Sequence, residues 1–527
     1  MFSLRTMLPR KVKQVLKYGT LAGATLGAGY VVKNNDWEIS TIGAVRFGRA
    51  ALTVARVVVD YKWSLRNLEP GTEQYLKLKS EVHTRSAEHL RNLCFVNGGA
   101  FIKVGQHLAT LDYLLPQEYV QTMKVLHSNA PQSPVEDLMK VFEEDIGKKV
   151  EDVFEYFSPE PLGTASLAQV HRARTKDGRD LAVKIQHPKV KAHSYVDIKT
   201  MEFLIRQVHW VFPDFQYVWL AEETRRNLPK ELDFVREGEH CERVAKMFEH
   251  FKFLKVPRVH WELTSGRVLT MEYCEGGQVN DREYMTRHGI NVNDVASKLG
   301  KLYSEMIFVN GYVHCDPHPG NVLVNKTSAG TQIVLLDHGL YQTLTDDFRI
   351  NYCKLWISLI HADLKGIEKY SNNLNVGKLY PLFACMLTAR SWENVTGGID
   401  KKPVTEAENQ ELSDNAGMYM IQISEVLNSI PRQMLLIMKT NDVLRGIESI
   451  LHSRASASSF INMSRCCIRA MGQHKLKHSS GFVKAFKTRL YTQWLLLKVD
   501  LYSLYLWISS SYLMKLMKRN SVPVTAS

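Results

Sequence analysis

Pro317 and Pro319 in the stretch GYVHCDPHPGNVLV, residues 311–324, rule out a helix and hold an extended loop crowded with polar side chains. Two histidines, an aspartate, a cysteine and an asparagine fall within eight positions there, between apolar runs. Three chemistries accept such a set: a divalent-metal site, a nucleophile cluster, or the catalytic loop of phosphoryl transfer. A metal site would use His314, Asp316 and His318, which alternate and would share one face of a strand. The prolines spoil a regular strand, and no further His/Asp cluster supplies a fourth ligand. For phosphoryl transfer the telling feature is Asp316 and Asn321 standing five apart, the spacing of an H-x-D-x-x-x-x-N loop.

The hydrophobic period along the rest of the chain sets the fold class. Residues 66–150 carry helical spacing in LKLKSEVHTRSAEHLRNLCFV, AFIKVGQHLATLDYLL and PVEDLMKVFEED. From 150 to 275 short runs, LAQVHRAR, DLAVKIQ and RVLTMEYCEG, predict strands around one long helix over 221–248. Residues 290–312 are helical again, NVLV and IVLLD read as strands joined by the turn NKTSAGTQ, and 345–470 is mainly helical. A small α/β lobe ahead of a mostly helical one is an α+β arrangement that resembles the two-lobed protein-kinase plan. The expected segments are 1–35, targeting or membrane-associated; 36–150, a helical extension; 151–273, the smaller lobe; 274–470, the larger lobe; and 471–527, a basic tail with an amphipathic or membrane-associated helix.

The net charge of +13 belongs to the two ends. Residues 1–35 carry six Lys/Arg and no acid, residues 471–527 carry nine Lys/Arg and one Asp, and the body between them is close to neutral. With no basic, aromatic-interleaved groove in the body, nucleic acid is excluded as a partner. Eight cysteines without a C-x-x-C pair give neither a disulfide framework nor a structural zinc signature, so the chain reads as intracellular. The start, FSLRTMLPRKVKQVLKYG, sets Leu4, Leu8, Val12 and Leu16 at helical spacing among basic residues, as mitochondrial presequences do. Residues 18–32 are uncharged and rich in small residues; as a helix they would reach about 22 Å, short of a bilayer core of about 30 Å. At the other end, WLLLKVDLYSLYLWISSSYLMKLMKR is interrupted by Lys498 and Asp500, which fits an interfacial or packed helix better than a clean span.

Phosphoryl transfer needs a lysine for the phosphates, a glutamate to fix it, an aspartate to take the hydroxyl proton, and an Asn and a second Asp for Mg²⁺. Lys184 in DLAVKIQ matches the V-A-I-K type lysine. Asp337 follows the apolar IVLL and begins DHG, a near match to D-F-G with His338 in place of Phe.

Further stretches narrow the resemblance. FIKVGQHLATLDYLLP (101–116) contains K-x-G-Q, PLGTASLAQVH (161–171) stands where a glycine-rich loop is expected, and KELDFVREGEH (230–240) contains E-x-D and a second glutamate. HCDPHPGN is also similar to the H-G-D-x-H-P-x-N loop of small-molecule kinases. With VKIQHP (183–188), the set resembles the UbiB family of aarF-domain, ABC-one-type atypical kinases from about residue 40 to 470.

That resemblance implies Mg²⁺ and ATP as cofactors. It assigns Lys184 to the phosphates and to catalysis, Glu237 as its partner on the αC-type helix, Asp316 as the catalytic aspartate, and Asn321 and Asp337 as metal ligands. It gives Leu162, Gly163, Thr164, Ala165, Ser166, Leu167, Ala168, Gln169 and Val170 to the phosphate-covering loop. Met271, Glu272 and Tyr273 become the hinge to adenine. Lys103 and Gln106 are implied to project into the cleft, with Glu231 near Lys103. Helix geometry agrees: Lys103, Gln106, His107 and Thr110 make one stripe, and Phe101, Val104, Leu108 and Leu111 the apolar opposite. On one continuous helix Glu231 and Glu237 would stand about 120° and about 9 Å apart, serving two different cations. The chain departs from the family at Gly163 and Thr164, where alanines are usual, at Ala168, where glycine is usual, and at His240, where Asn is common.

The expected function is a mitochondrial, inner-membrane-associated kinase or ATPase acting on a small or lipid-like acceptor, with weak protein phosphorylation. The alternative is a nucleotide-binding interaction protein that maintains mitochondrial membrane organisation through protein partners, independently of catalysis.

Overall fold

A computed structural model of the chain describes residues 43–109, 115–127, 132–213, 215, 218–398, 408, 419–451, 456–479 and 481–520. The basic start and the glycine-spaced stretch 18–32, expected to target or anchor the chain, lie outside the described residues. Two compact units form, Met1–Val235 with His260–Thr270, and Arg236–Val259 with Met271–Ser527.

In the first unit the expected helical extension is present as Gly43–Ser64, Glu73–Asn97, Ala100–Ala109, Gln117–Met123 and Val135–Ile146. A four-stranded sheet follows in the order Phe154–Thr164, Ala168–Thr175, Asp180–Gln186, Val268–Glu272. Alternation in DLAVKIQ puts Leu181, Val183 and Ile185 on one face, buried against Leu138, Phe142, Phe154 and Val268. Lys184 therefore faces the other way.

Residues 221–248 are not one helix. Val218–Glu231 ends and Phe234–Met247 begins anew. Pro229 removes a donor from the first helix. The Gln186 side chain then donates to the Leu232 carbonyl at 2.9 Å, and the Phe234 N–H donates to Gly266 at 3.2 Å. The backbone groups that would carry the helix onward are thus used elsewhere. Glu231 and Glu237 sit on different helices. A further helix, Val190–Val211, occupies a stretch that the sequence reading left without one.

His171, fully buried in this sheet, is held neutral. Its Nδ1 donates to the Ser158 carbonyl at 2.8 Å, its Nε2 faces the Gln169 amide nitrogen at 3.3 Å, and its ring stacks on Phe157. Burial lowers its pKa below the ordinary histidine value. A depressed histidine stabilises the fold above the unfolded value of about 6.5, and that stability is lost as pH falls toward the folded value, at up to about 1.4 kcal/mol per pH unit. Amide-exchange protection of Ala168–Thr175, corrected for intrinsic rates, is expected to fall between pH 7 and 5.5. His171→Gln should flatten that fall; an unchanged fall would refute the assignment.

In the second unit the helix Val292–Ser304 runs into a π-helical turn, Glu305–Asn310, stopped by Gly311 at φ 61°. A four-stranded sheet orders Leu254–Lys255, Gly330–Leu335, Val322–Thr327, Gly277–Gln278, and Tyr312–His314 pairs with Tyr341–Thr343. Phe248, Leu302, Tyr303, Val322, Ile333, Leu335 and Ile447 close the core around these strands. The helices Asp346–Ile360, Arg432–Ile450 and Ser456–Lys477 complete the mainly helical part. The α+β, kinase-like plan with a helical N-terminal region is the architecture present.

The tail forms one helix, Phe482–Asn520, against Ser456–Lys477. Gly472 permits the approach, since a Cβ there would meet Thr492 Oγ1 at 2.6 Å, and Arg465 pairs with Asp500 at 2.7 Å. Tyr491, Trp494 and Tyr505 are more than half exposed on it. Among the described residues no helix is long and apolar enough to cross a membrane.

Candidate active site

The loop that opened the sequence reading is tied to the strand pair behind it. Val322 pairs with Leu335, and one step outward the Leu336 N–H donates to the Asn321 carbonyl at 2.9 Å. Asn321 and Asp337 thereby leave adjacent strands at the same end. The Asn321 side-chain amide donates to the Asp316 carbonyl at 3.3 Å, and its backbone N–H donates to His318 at 2.8 Å. Asp337 accepts from the Gly339 N–H at 2.9 Å, fixing its carboxylate over the turn. Three residues spread along the chain form one cluster: Asp316, Asn321 and Asp337 are brought together.

His338 takes the place of Phe in D-F-G and is wholly buried. Its Nε2 must donate to the Leu335 carbonyl at 3.0 Å, so Nδ1 is left to accept from the Tyr341 hydroxyl at 2.9 Å. Burial pushes its pKa down to about 3, and the ring fills the site as a neutral, apolar-sized wedge. Its carbonyl accepts from His240 Nδ1 at 3.0 Å, which gives His240 a role behind the D-H-G turn. The backbone N–H of His338 donates to Glu237 Oε1 at 3.4 Å, so this buried glutamate is held against the D-H-G turn.

The described residues give no histidine-based metal cluster in the loop. His314 is fully buried with Nδ1 at 2.8 Å from the Tyr303 hydroxyl, and His318 Nδ1 accepts from the Gly320 N–H at 3.2 Å. Among the described residues no group of three His, Cys, Asp or Glu side chains could hold a metal ion. A cation at Asn321 and Asp337 is another matter, because Mg²⁺ takes one or two protein oxygens and completes its shell with phosphates and water. One carboxylate and one amide oxygen at a shared strand end fit that hard-oxygen demand.

In the first unit, Lys184 has its ammonium 5.0 Å from the centre of the Phe234 ring. The 162–170 segment is a hairpin: Thr164 pairs with Gln169, and the Ala165 N–H donates to the Ala168 carbonyl at 2.8 Å. Two side chains here depart from expectation. Gln169 is buried, its carbonyl accepts from the Ser133 N–H, and its amide faces His171, so any role toward phosphate falls to its backbone. Gly163 has open space where a Cβ would stand, so nothing steric demands glycine there.

The K-x-G-Q helix is described over Ala100–Ala109; Thr110 and Leu111 lie outside the described residues. Glu231 stands beside Lys103, with Nζ 2.7 Å from Oε2 and both side chains largely buried. Gln106 donates to the Leu126 carbonyl at 2.9 Å and accepts from the Ser166 hydroxyl at 3.3 Å, joining this helix to the hairpin tip. Gly105 is the close-packed position: a Cβ would lie 2.3 Å from Leu126 Cδ1. Phe101 packs in the core as expected, but Ile102, Gly105 and Ala109 are the deepest with it, so the buried face is rotated from the Val104–Leu108 stripe.

Glu272, expected at the hinge, turns its carboxylate to Lys255 Nζ at 2.6 Å and to the Arg258 N–H at 3.2 Å. Its backbone N–H is taken by the Arg258 carbonyl at 2.8 Å. The side chain serves the local turn. Sequence reasoning also missed Lys439, which lies 3.6 Å from Asp316 Oδ1. No local motif surrounds it that could have marked it.

Residues 125–371 match the ABC1 atypical kinase-like domain. AarF domain-containing protein kinase 1 of Gallus gallus is 56% identical over 503 residues, covering 95% of this chain and 97% of the relative. The protein of that name in Mus musculus is 53% identical, covering 95% and 98%. AarF domain-containing kinase 1 of Drosophila melanogaster is 47% identical, covering 94% and 97%.

Proposed function

Because this chain belongs to the AarF domain-containing, ABC1-type family of atypical kinases, we propose that it is a Mg-ATP-dependent phosphotransferase or ATPase of a mitochondrial membrane. One observation carries the chemistry: Asp316, Asn321 and Asp337 are gathered at one strand end by backbone and amide hydrogen bonds.

Asn321 and Asp337 would hold Mg²⁺, which supplies positive charge to phosphate oxygens when bound. Lys184 would bind phosphate oxygens. The backbone of 162–170 would cover them, and the Met271–Tyr273 backbone would meet the base. Asp316 takes the proton of the attacking hydroxyl, from an acceptor or from water, as the new O–P bond forms and the bond to the ADP oxygen breaks.

The contact of Gln106 with Ser166 seats the K-x-G-Q helix against the hairpin tip and supports a small or lipid-like acceptor over an extended peptide. Residues 1–35, basic and free of acids, support the mitochondrial location, and the exposed aromatic residues of Phe482–Asn520 support a membrane partner. The same exposed face favours a second reading, a nucleotide-responsive interaction protein that needs no turnover. The test is Mg-ATP turnover by the full chain, with and without phospholipid vesicles, beside a Ser/Thr peptide array. Lipid-stimulated turnover with little peptide labelling is expected; efficient peptide phosphorylation overturns the substrate class, and full rescue of a null cell line by Asp316→Asn favours the second reading.

A further inference from the structure

We infer that Lys439 is a positioning residue for Asp316, an inference that rests on the proposed role of Asp316 as the proton acceptor. The four residues between Asp316 and Asn321 are Pro, His, Pro and Gly, so the loop carries no Lys or Arg. A cation beside the aspartate comes from far along the chain: Lys439 Nζ stands 3.6 Å from Asp316 Oδ1, with its side chain 13% exposed and that of Asp316 31% exposed.

The helix that presents Lys439 is fixed at several points. At its start Gln433 accepts from the Thr345 N–H at 3.3 Å, and near its end Arg445 donates to the Leu387 carbonyl at 3.0 Å. Ile437, Met438 and Thr440, flanking Lys439, are buried. The ammonium is therefore delivered by a rigid element and not by a mobile surface arm.

A half-buried ion pair at this distance gains little net stability over an apolar pair. A role beyond stability is indicated by what the partner must do. Asp316 shares its neighbourhood with the Asp337 carboxylate, and substrate phosphates bring further negative charge. A cation on Oδ1 offsets that repulsion and restricts rotation of the carboxylate, holding it ready for the incoming hydroxyl. The contact that places Lys439 is to Asp316, and it is through Asp316 that Lys439 acts.

The test uses full-length Lys439→Met, Lys439→Gln, Lys439→Arg, Asp316→Asn and the Asp316→Asn/Lys439→Met pair. Turnover of Mg-ATP, equilibrium binding of a fluorescent ATP analogue and thermal unfolding are measured for each. Loss of the cation should lower kcat by about tenfold to a hundredfold. The dissociation constant for nucleotide should stay within about threefold, Lys439→Arg should restore most of kcat, and the double variant should be no slower than Asp316→Asn alone. If Lys439→Met fails to fold, the Gln and Arg variants decide: Gln with wild-type kcat overturns the inference. Wild-type kcat in Lys439→Met beside an inactive Asp316→Asn overturns the inference and leaves the proposed function standing. An active Asp316→Asn overturns both.

Discussion

Asp316→Asn is expected to lower Mg-ATP turnover by about a hundredfold to ten-thousandfold while nucleotide binding is retained. Asparagine has the same shape but cannot take a proton. The loop that carries it is set by Pro317 and Pro319, and the contact from Asn321 is to the residue's backbone carbonyl, which the substitution keeps. The hydrogen bonds that set Asn321 and Asp337, the proposed cation ligands, do not use the Asp316 side chain, so they survive. A single-turnover measurement with saturating ATP, beside a binding isotherm, separates the two effects. Parallel loss of binding and turnover would mean that Asp316 serves to hold the loop and not to move a proton.

Asp197→Ala is expected to destabilise the first unit by about 3 to 5 kcal/mol. Arg46 of the helix Gly43–Ser64 forks onto Asp197 of Val190–Val211, with Nε to Oδ1 at 2.8 Å and Nη2 to Oδ2 at 2.5 Å. The side chains are 7% and 2% exposed. Burial dominates at Asp197, raising its pKa above the ordinary carboxylate value despite the guanidinium. Truncation would leave a buried guanidinium with its counter-charge removed, which is the costly event; the pair itself contributes far less. Arg46→Met with Asp197→Leu should accordingly recover much of the loss, by filling the space without charge. Urea unfolding of the single and double variants checks this, and equal destabilisation in both would show that packing, not charge, sets the cost.

The parts of the fold that were legible in the sequence are those written in short-range patterns. DLAVKIQ announced a strand through alternation, and the strand runs over those seven residues. The five-residue step from Asp316 to Asn321, with an apolar strand before Asp337, announced the cluster because two prolines and a strand pair leave the chain few other routes. What was not legible depends on partners remote in sequence. The break after Glu231 is made by Gln186 and Gly266, neither of which a helical period can reveal. Gln169 looked like part of a phosphate loop until Ser133 and His171 claimed its side chain. Lys439 is the single lysine of a helix with no motif around it, and only the packing of Arg432–Ile450 brings it to Asp316. The neutrality of His338 likewise comes from burial between Leu335 and Tyr341, not from its neighbours in D-H-G.

The most direct measurement is ADP release from ATP by the full chain as Mg²⁺ is titrated, for the wild type and for Asp337→Asn. Turnover that rises with Mg²⁺ in the wild type and is lost in Asp337→Asn is the expected result. Equal turnover by both proteins, or turnover that persists when the divalent ion is chelated, would contradict the assignment of Asn321 and Asp337 to the cation and with it the phosphoryl-transfer site.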